Sequence, residues 1–342
     1  MMKTSLIAAA LVAAAGPSLA QDGSDDLTDL RVQLGWIANV QYGDHWIAME
    51  NGLFEERGLD VEIGPGGPNA PNALTSVAAG EADIGYTGWL PFLDAVQRDN
   101  DFVIIGAAMQ VSPLGILSLA AHPILVPEDI QGARILAQGP NERTAIEATL
   151  SLAGLPTDDW TMVPGGFSPE PLLAGDGEGY TAFATNQAIT LEEMGLTQGQ
   201  DFHFTSFEDL GLASYAGIAF TSRSFLESNR DAVVAYLEAL IEAWNISEED
   251  PSYAAQLVVE KYGRDYGLEL DQQIRQNEVQ AQFWRPGGDP DYPVYILDPE
   301  KIAGPMMEAA RASGRSDLPE PGNLIAPQLV QEAHANLDAQ EN

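Results

Sequence analysis

Leu30-Arg31-Val32-Gln33-Leu34-Gly35, then Trp46-Ile47-Ala48-Met49 ahead of Gly52 and Gly58, then Leu59-Asp60-Val61-Glu62-Ile63, decide the fold of this chain. The outer two stretches alternate apolar and polar residues as strands do, while Trp46, Ile47, Met49 and Leu53 recur at helical spacing and stop at the glycines. A strand, a helix and a strand in so short a run predict parallel strands joined by a right-handed crossover. Working outward, residues 73–79 read as a helix closed by Gly80, and residues 83–87 as a strand opening into Gly88-Trp89-Leu90-Pro91. Residues 102–108 are a fourth strand and residues 116–120 its antiparallel return. Further on, residues 134–137, 160–163 and 180–184 read as strands and 144–153 as a helix ended by Gly154. Val233, Val234, Leu237, Leu240, Ile241 and Trp244 make residues 230–246 a long amphipathic helix. Residues 257–262 and 272–283 are helical as well. The fold class is α/β.

The chain has 342 residues, 45% of them hydrophobic, which suffices for a buried core, and its length allows two lobes. Its 51 acidic residues against 15 basic ones give a net charge of −36, which repels phosphate backbones and anionic lipid, so no nucleic-acid partner is expected. The acids are scattered and not grouped at calcium-ligand spacing, and they read as a solubilising surface. Residues 1–20 carry Lys3, an apolar run from Leu6 to Ala15, and the small-residue site Ser18-Leu19-Ala20, the pattern of an export signal. No cysteine is present, which excludes both disulfides and a lipid anchor through an N-terminal cysteine. A soluble periplasmic protein is expected.

Catalytic signatures are absent. Without cysteine there is no thiol nucleophile, no serine sits in a Gly-x-Ser-x-Gly elbow, and His45, His122, His203 and His334 form no metal-ligand pair. Gly175, Gly177 and Gly179 have the wrong spacing for a dinucleotide loop. No enzyme, cofactor or metal is expected. Polar and aromatic residues do recur just past the carboxyl ends of the strands, where open α/β sheets bind ligands. In the first half these are Trp36, Asn39 and Tyr42, then Asn69, then Thr87 and Trp89, then Gln110. In the second half they are Asn141, Arg143 and Thr144, the loop Gly165-Gly166-Phe167, and Asn186 with Gln187. Indoles and phenols there can stack on a planar solute, and the amides can bind its edges. The same residues fit a plainer role, with Trp36 and Trp89 in the core, Asn69 and Asn141 as caps, and Arg143 paired with Glu147 one helical turn on.

The stretch Trp36-Ile37-Ala38-Asn39-Val40-Gln41-Tyr42, followed by Asn51-Gly52-Leu53-Phe54-Glu55-Glu56-Arg57-Gly58-Leu59-Asp60-Val61, resembles the opening of periplasmic solute-binding proteins of the NMT1/THI5-like and SsuA-like family. That family serves importers of thiamine pyrimidine precursors, riboflavin, sulfonates and nitrate. Ala79-Gly80-Glu81-Ala82-Asp83-Ile84-Gly85, Pro127-Glu128-Asp129-Ile130-Gln131-Gly132 and Phe225-Leu226 continue the likeness over about residues 30–260. The resemblance implies the two-lobed, type II periplasmic binding protein fold, with mixed sheets flanked by helices and two hinge crossovers near residues 116–120 and 216–221. Lobe 1 is then residues 27–117 and 220–342, and lobe 2 residues 118–219. It also implies a monomer that docks on an ABC permease. Asn39-Val40-Gln41-Tyr42 and Asn186-Gln187 are closest to the pyrimidine and riboflavin branch, although Ala38 replaces that branch's proline and Gln187 its glutamate. Thr87-Gly88-Trp89-Leu90-Pro91 is closer to the sulfonate and nitrate branch. The cysteine-rich motif of the related yeast enzymes is absent. These features point to a small planar nitrogen heterocycle such as a thiamine pyrimidine precursor or a riboflavin-like solute, stacked by Trp36, Tyr42 and Trp89. The alternative is an alkanesulfonate, taurine or nitrate-type anion held by Arg143 and helix N-termini, and a third reading is an exported enzyme.

Overall fold

A computed structural model describes residues 27–67 and 70–340, so the expected export signal and Asn69 lie outside the described residues. The strands are β1 (Thr28–Gln33), β2 (Leu59–Gly64), β3 (Ile84–Thr87), β4 (Phe102–Met109), β5 (Leu114–Leu119), β6 (Arg134–Ala137), β7 (Thr161–Pro164), β8 (Gly179–Phe183), β9 (Phe202–Ser206) and β10 (Ala216–Ser222). They form two five-stranded mixed sheets, in the orders β2-β1-β3-β10-β4 and β7-β6-β8-β5-β9. In the first sheet β1 runs parallel to β2 and β3, as the opening strand-helix-strand reading requires, and β10 returns antiparallel between β3 and β4. The second sheet repeats the scheme, with β6 parallel to β7 and β8 and with β5 antiparallel to β8 and β9.

Between the strands run helices α1 (Gly43–Glu50), α2 (Ala73–Ala78), α3 (Trp89–Val96), α4 (Pro140–Leu152), α5 (Glu170–Leu173) and α6 (Ile189–Glu193). Gly80 and Gly154, at φ 69° and 71°, supply the left-handed turns just past α2 and α4. After β10 the chain is helical: α7 (Arg223–Ser228), α8 (Arg230–Glu249), α9 (Pro251–Leu257), α10 (Leu270–Trp284), α11 (Pro299–Lys301), α12 (Met307–Ala312) and α13 (Pro327–Gln340). The apolar stripe of α8, from Val233 to Trp244, is buried in the largest core cluster with Leu30, Val32 and Ile47. All eight residues of β4 are buried although it closes one edge of its sheet, because Tyr295 and Ile325 from the C-terminal segment bridge to Ala107 and Ile104 and cover that edge.

The chain passes from the first sheet to the second over residues 110–113 and returns over residues 207–215. Residues 116–120 and 216–221, expected as crossovers, are instead largely paired in β5 and β10. The reason is local: both stretches are largely apolar runs buried through their middle, as strands inside a sheet are, and the chain outside the ladders lies just before each of them. The C-terminal helices are not confined to the first sheet, since Ala309 of α12 packs with Ala145 and Ile146 of α4.

Candidate ligand-binding site

Two glycines shape the loop after β1. A Cβ on Gly66 would lie only 2.4 Å from the Leu34 oxygen and 2.6 Å from the Trp36 nitrogen, so the loop after β2 nests on the loop after β1 only because Gly66 has no side chain, and a Cβ on Gly35 would lie 2.7 Å from the Tyr86 carbonyl oxygen at β3. The Gly66 N–H donates to the Trp36 carbonyl at 2.7 Å. The backbone of Trp36 is thus fixed while its indole is 42% exposed. Beneath the loop, Tyr42 is buried. Burial raises its phenol pKa well above the ordinary value, partly offset by the Gly35 and Trp36 backbone facing it, so it is a neutral prop. Asn39 is buried too. Its Oδ1 accepts from the Gln41 N–H at 3.0 Å and its carbonyl accepts from Trp46 Nε1 at 2.9 Å. From behind, α10 grips the same turn, with Gln273 Oε1 accepting from Val40 N and Gln280 Nε2 donating to Val40 O, both at 2.9 Å.

The other first-half candidates divide. Thr87 is half-buried at the end of β3. Trp89 is only 2% exposed, stacks on Phe92 and donates its indole N–H to the Met306 carbonyl at 3.0 Å. It belongs to the core, because the first turn of α3 faces the C-terminal helices and not the strand ends. Gln110 is equally buried and fully engaged: Nε2 donates to the carbonyls of Ala107 and Ile296, and Oε1 accepts from the Tyr292 hydroxyl. It holds the crossing and presents no group to a solute.

In the second half, α4 starts at Pro140 with Gly139 as its cap residue, and Asn141 is exposed in its first turn. Arg143 pairs with Glu147 at 3.2 Å and lies 5.4 Å from the centroid of the Trp160 ring. Thr144 donates its hydroxyl back to Pro140 O at 2.9 Å. These two serve their own helix. Asn186 is exposed at the turn after β8, whereas Gln187 is 5% exposed and its Oε1 accepts from Phe183 N at 2.8 Å, so the amide closes the strand end. The loop after β7 mirrors the loop after β1. The Gly166 carbonyl accepts from the Tyr180 hydroxyl at 2.6 Å and from Gln138 Nε2 at 3.3 Å, and Phe167 beside it is 79% exposed. Phe183, at the last position of β8, is 43% exposed. It is missing from the sequence-derived set because a terminal strand residue and an interior one look alike in a pattern of period two.

The strand ends therefore offer exposed rings on anchored backbone, Trp36 from one sheet and Phe167 and Phe183 from the other, with the uncharged polar groups of Thr87, Asn141 and Asn186 nearby in sequence. Every described Arg and Lys except Arg98 and Arg311 lies within 4.0 Å of a carboxylate, and those two sit at the end of α3 and on α12. Among the described residues no group of three His, Asp or Glu side chains can hold a metal ion, and no helix is long and apolar enough to cross a membrane. A cavity of about 310 Å³ lies elsewhere, lined by Trp244, Ser247, Pro251 and Asn277 of the C-terminal helical region and by no strand end.

The NMT1/THI5-like family model matches residues 39–254, from the Asn39 turn to α9. The chain belongs to that family. Among its relatives is the formylaminopyrimidine-binding protein of Halalkalibacterium halodurans, 24% identical over 244 residues, or 69% of this chain and 72% of the relative. Among solved structures, the periplasmic aliphatic sulphonate-binding protein SsuA of Escherichia coli superposes with a TM-score of 0.64 at 17% identity, covering 86% of this chain and 94% of its own. The periplasmic nitrate-binding protein NrtA of Synechocystis PCC 6803 does so at 0.61 and 14%, covering 91% and 89%. The family member described here has the periplasmic binding protein fold.

Proposed function

We propose that this protein captures a small, planar, nitrogen-heterocyclic solute of the pyrimidine-precursor kind and hands it, as a periplasmic monomer, to an ABC permease, with no catalytic step of its own. In this reading the first sheet and the chain from residue 216 onward make one lobe, residues 114–206 the other, and residues 110–113 and 207–215 the hinge between them. The solute lies between the lobes. Trp36 stacks on one face of the ring, Phe183 and Phe167 come from the opposite side, and Thr87, Asn141 and Asn186 bind its polar edge. Tyr42, Asn39, Gln187, Gln110 and Trp89 support these walls.

The observation that carries the reading is the Trp36 indole, 42% exposed on a backbone that Gly66 locks in place. The backbone beneath the ring is ordered before the solute arrives, so stacking does not have to fix the loop as well. The formylaminopyrimidine-binding relative is named for a ligand of this chemistry. A sulfonate or nitrate is disfavoured because Arg143, the cation an anion needs, already serves Glu147. Calorimetric titration of formylaminopyrimidine into the wild type and Trp36→Ala tests the proposal. Loss of a stacking partner for a base is worth about 1–3 kcal/mol, so the Kd should rise by about 5- to 150-fold. An unchanged Kd removes Trp36 from the site, and binding of taurine or nitrate in place of the pyrimidine overturns the cargo class.

A further inference from the structure

The two crossing segments are tied to each other by one side chain. Lys301, at the end of α11, donates from Nζ to the Gln110 carbonyl at 2.6 Å on the first crossing and to Glu208 Oε1 at 2.6 Å on the second. Its ammonium also lies 5.1 Å from the ring centroid of Tyr215, the last residue of the second crossing. Lys301 is 17% exposed, and no other basic residue among those described forms an ion pair with a carboxylate on either crossing. The lysine is itself well anchored. Asp298 Oδ1 caps α11 by accepting from the N–H groups of Glu300 and Lys301, and the Asp298 N–H donates to the Tyr215 hydroxyl at 3.0 Å. Gln110 is held independently on the first-sheet side, where its own N–H donates to the Phe283 carbonyl at 2.7 Å.

The two connections are already paired at their ends, Ala216 against Met109 in the ladder and the Phe207 N–H on the Leu114 carbonyl, and Lys301 adds a link between those ends. A cation hydrogen-bonded to a carbonyl on one connection and a carboxylate on the other makes them move as a pair, and charge-assisted bonds of this length are the strong ones. We infer that Lys301 is a positioning residue for the hinge: by tying both crossings together it narrows the range of relative lobe orientations and so raises solute affinity from outside the cleft. The inference rests on the two-lobe reading proposed above. The affinity arm follows because a protein that spends less time in a closable geometry binds more weakly by that fraction.

Because the chain has no cysteine, nitroxide labels can be placed uniquely at Asp60→Cys on β2 and Ser151→Cys on α4, both exposed positions on different sheets or their flanking helices. Pulsed dipolar spectroscopy on the ligand-free protein then reads the spread of interlobe distances. Lys301→Met, which keeps the stem and removes the donor, should broaden the distribution, and Glu208→Gln, which loosens only the second crossing, should broaden it less. Tyr292→Phe removes a hydrogen bond to the Gln110 side chain without bridging the crossings and should leave it unchanged. Titration of formylaminopyrimidine should show Lys301→Met binding about five- to tenfold more weakly, in the range of couplings between separated sites. Superimposable distributions for wild type and Glu208→Gln, and for Lys301→Met where it folds, overturn the inference. Equal broadening in Tyr292→Phe does so too, since it reduces the effect to general loosening. If wild type fails to bind the pyrimidine, the cargo proposal falls while the distance measurement still decides the role of Lys301.

Discussion

Removing the hydroxyl of Tyr295 tests the most concentrated piece of buried electrostatics in the protein. Asp44, in the first turn of α1, is 1% exposed, and its Oδ2 accepts a short hydrogen bond from Tyr295. Its Oδ1 accepts from the His45 N–H at 2.9 Å and lies 2.7 Å from His45 Nδ1. The imidazole continues through Nε2 to the Tyr236 hydroxyl at 2.9 Å, and that hydroxyl lies 3.1 Å from Tyr86's. Tyr295 pays for its place in backbone conformation, at φ 63°, a left-handed position that costs a non-glycine residue about 1–2 kcal/mol. Gly106 leaves room for it: a Cβ there would lie 3.0 Å from the Tyr295 ring, a tight contact. In Tyr295→Phe the ring still fills its space, no cavity opens, and the strain is unchanged. What is lost is one donor to a carboxylate that water cannot reach, an interaction worth about 1.5–3 kcal/mol when the acceptor is charged. At about 2–4 °C per kcal/mol, or somewhat less for a chain longer than 250 residues, the melting temperature should fall by about 3–10 °C. Circular-dichroism melts of the ligand-free protein at neutral pH measure it. The double variant with Asp44→Asn should lose less than the sum of the two single variants, since both changes act on the same hydrogen bond. A Tyr295→Phe melt indistinguishable from wild type, or strict additivity, would refute the account of Asp44 as a buried charged acceptor.

Three further outcomes follow from the same contacts. Gly66→Ala places its Cβ against the Leu34 oxygen and the Trp36 nitrogen, all backbone, so the loops must separate; it should cost about 1–3 kcal/mol and weaken solute binding together with stability, read by melting and titration. Arg143→Gln should leave pyrimidine affinity unchanged and lower stability by about 0.5–1.5 kcal/mol, the worth of an exposed i, i+4 pair together with the guanidinium over Trp160; a large loss of binding would return Arg143 to the cleft. In acid, Glu50 beside Lys261 and Tyr262, Glu178 beside Arg134 and Glu332 beside Arg230 all have carboxyl pKa values held below the ordinary one. The unfolded chain therefore takes up protons first, so their contribution is complete above about pH 4.3 and is lost as the pH falls through the lower folded values. Glu50 is exposed and the other two are half-buried at the surface, and a shallow decline in melting temperature below that pH is expected, shallower still in Lys261→Met.

What the sequence could and could not convey is visible in pairs of similar residues. The strand-helix-strand opening was legible because each element's apolar period is local, and Arg143 with Glu147 was legible because the helix itself brings them together. Trp36 and Trp89 are indistinguishable as letters: each follows a strand and a glycine. They separate only in three dimensions, where Trp89 finds the Met306 carbonyl 217 residues along the chain and Trp36 finds no cover. Asn186 and Gln187 are adjacent, yet one is exposed and the other folds back on Phe183 N, a choice made by the turn after β8. The crossings, placed from the family resemblance, fall a few residues late because a resemblance carries approximate positions and the local sequence does not say which sheet a strand joins. Lys301 was invisible for the same reason, since its partners come from positions 110 and 208.

Charge economy links the acidic surface to the proposed cargo. With a net charge of −36, an anionic solute approaches against the field of the whole molecule, and only within about 8 Å at physiological ionic strength do local groups escape screening. Local groups at the strand ends give it little help. Apart from Arg98 and Arg311, the described basic side chains pair with carboxylates, and the positive end of α4 is blunted by Glu142 in its own first turn, whose Oε2 would lie 3.5 Å from a Cβ on Gly139. A neutral or weakly basic heterocycle meets none of these costs. It needs apolar faces and hydrogen-bonding edges, which are what exposed rings on fixed backbone and uncharged amides provide. The scattered acids can then vary over the surface without disturbing recognition, because the proposed site does not depend on net charge.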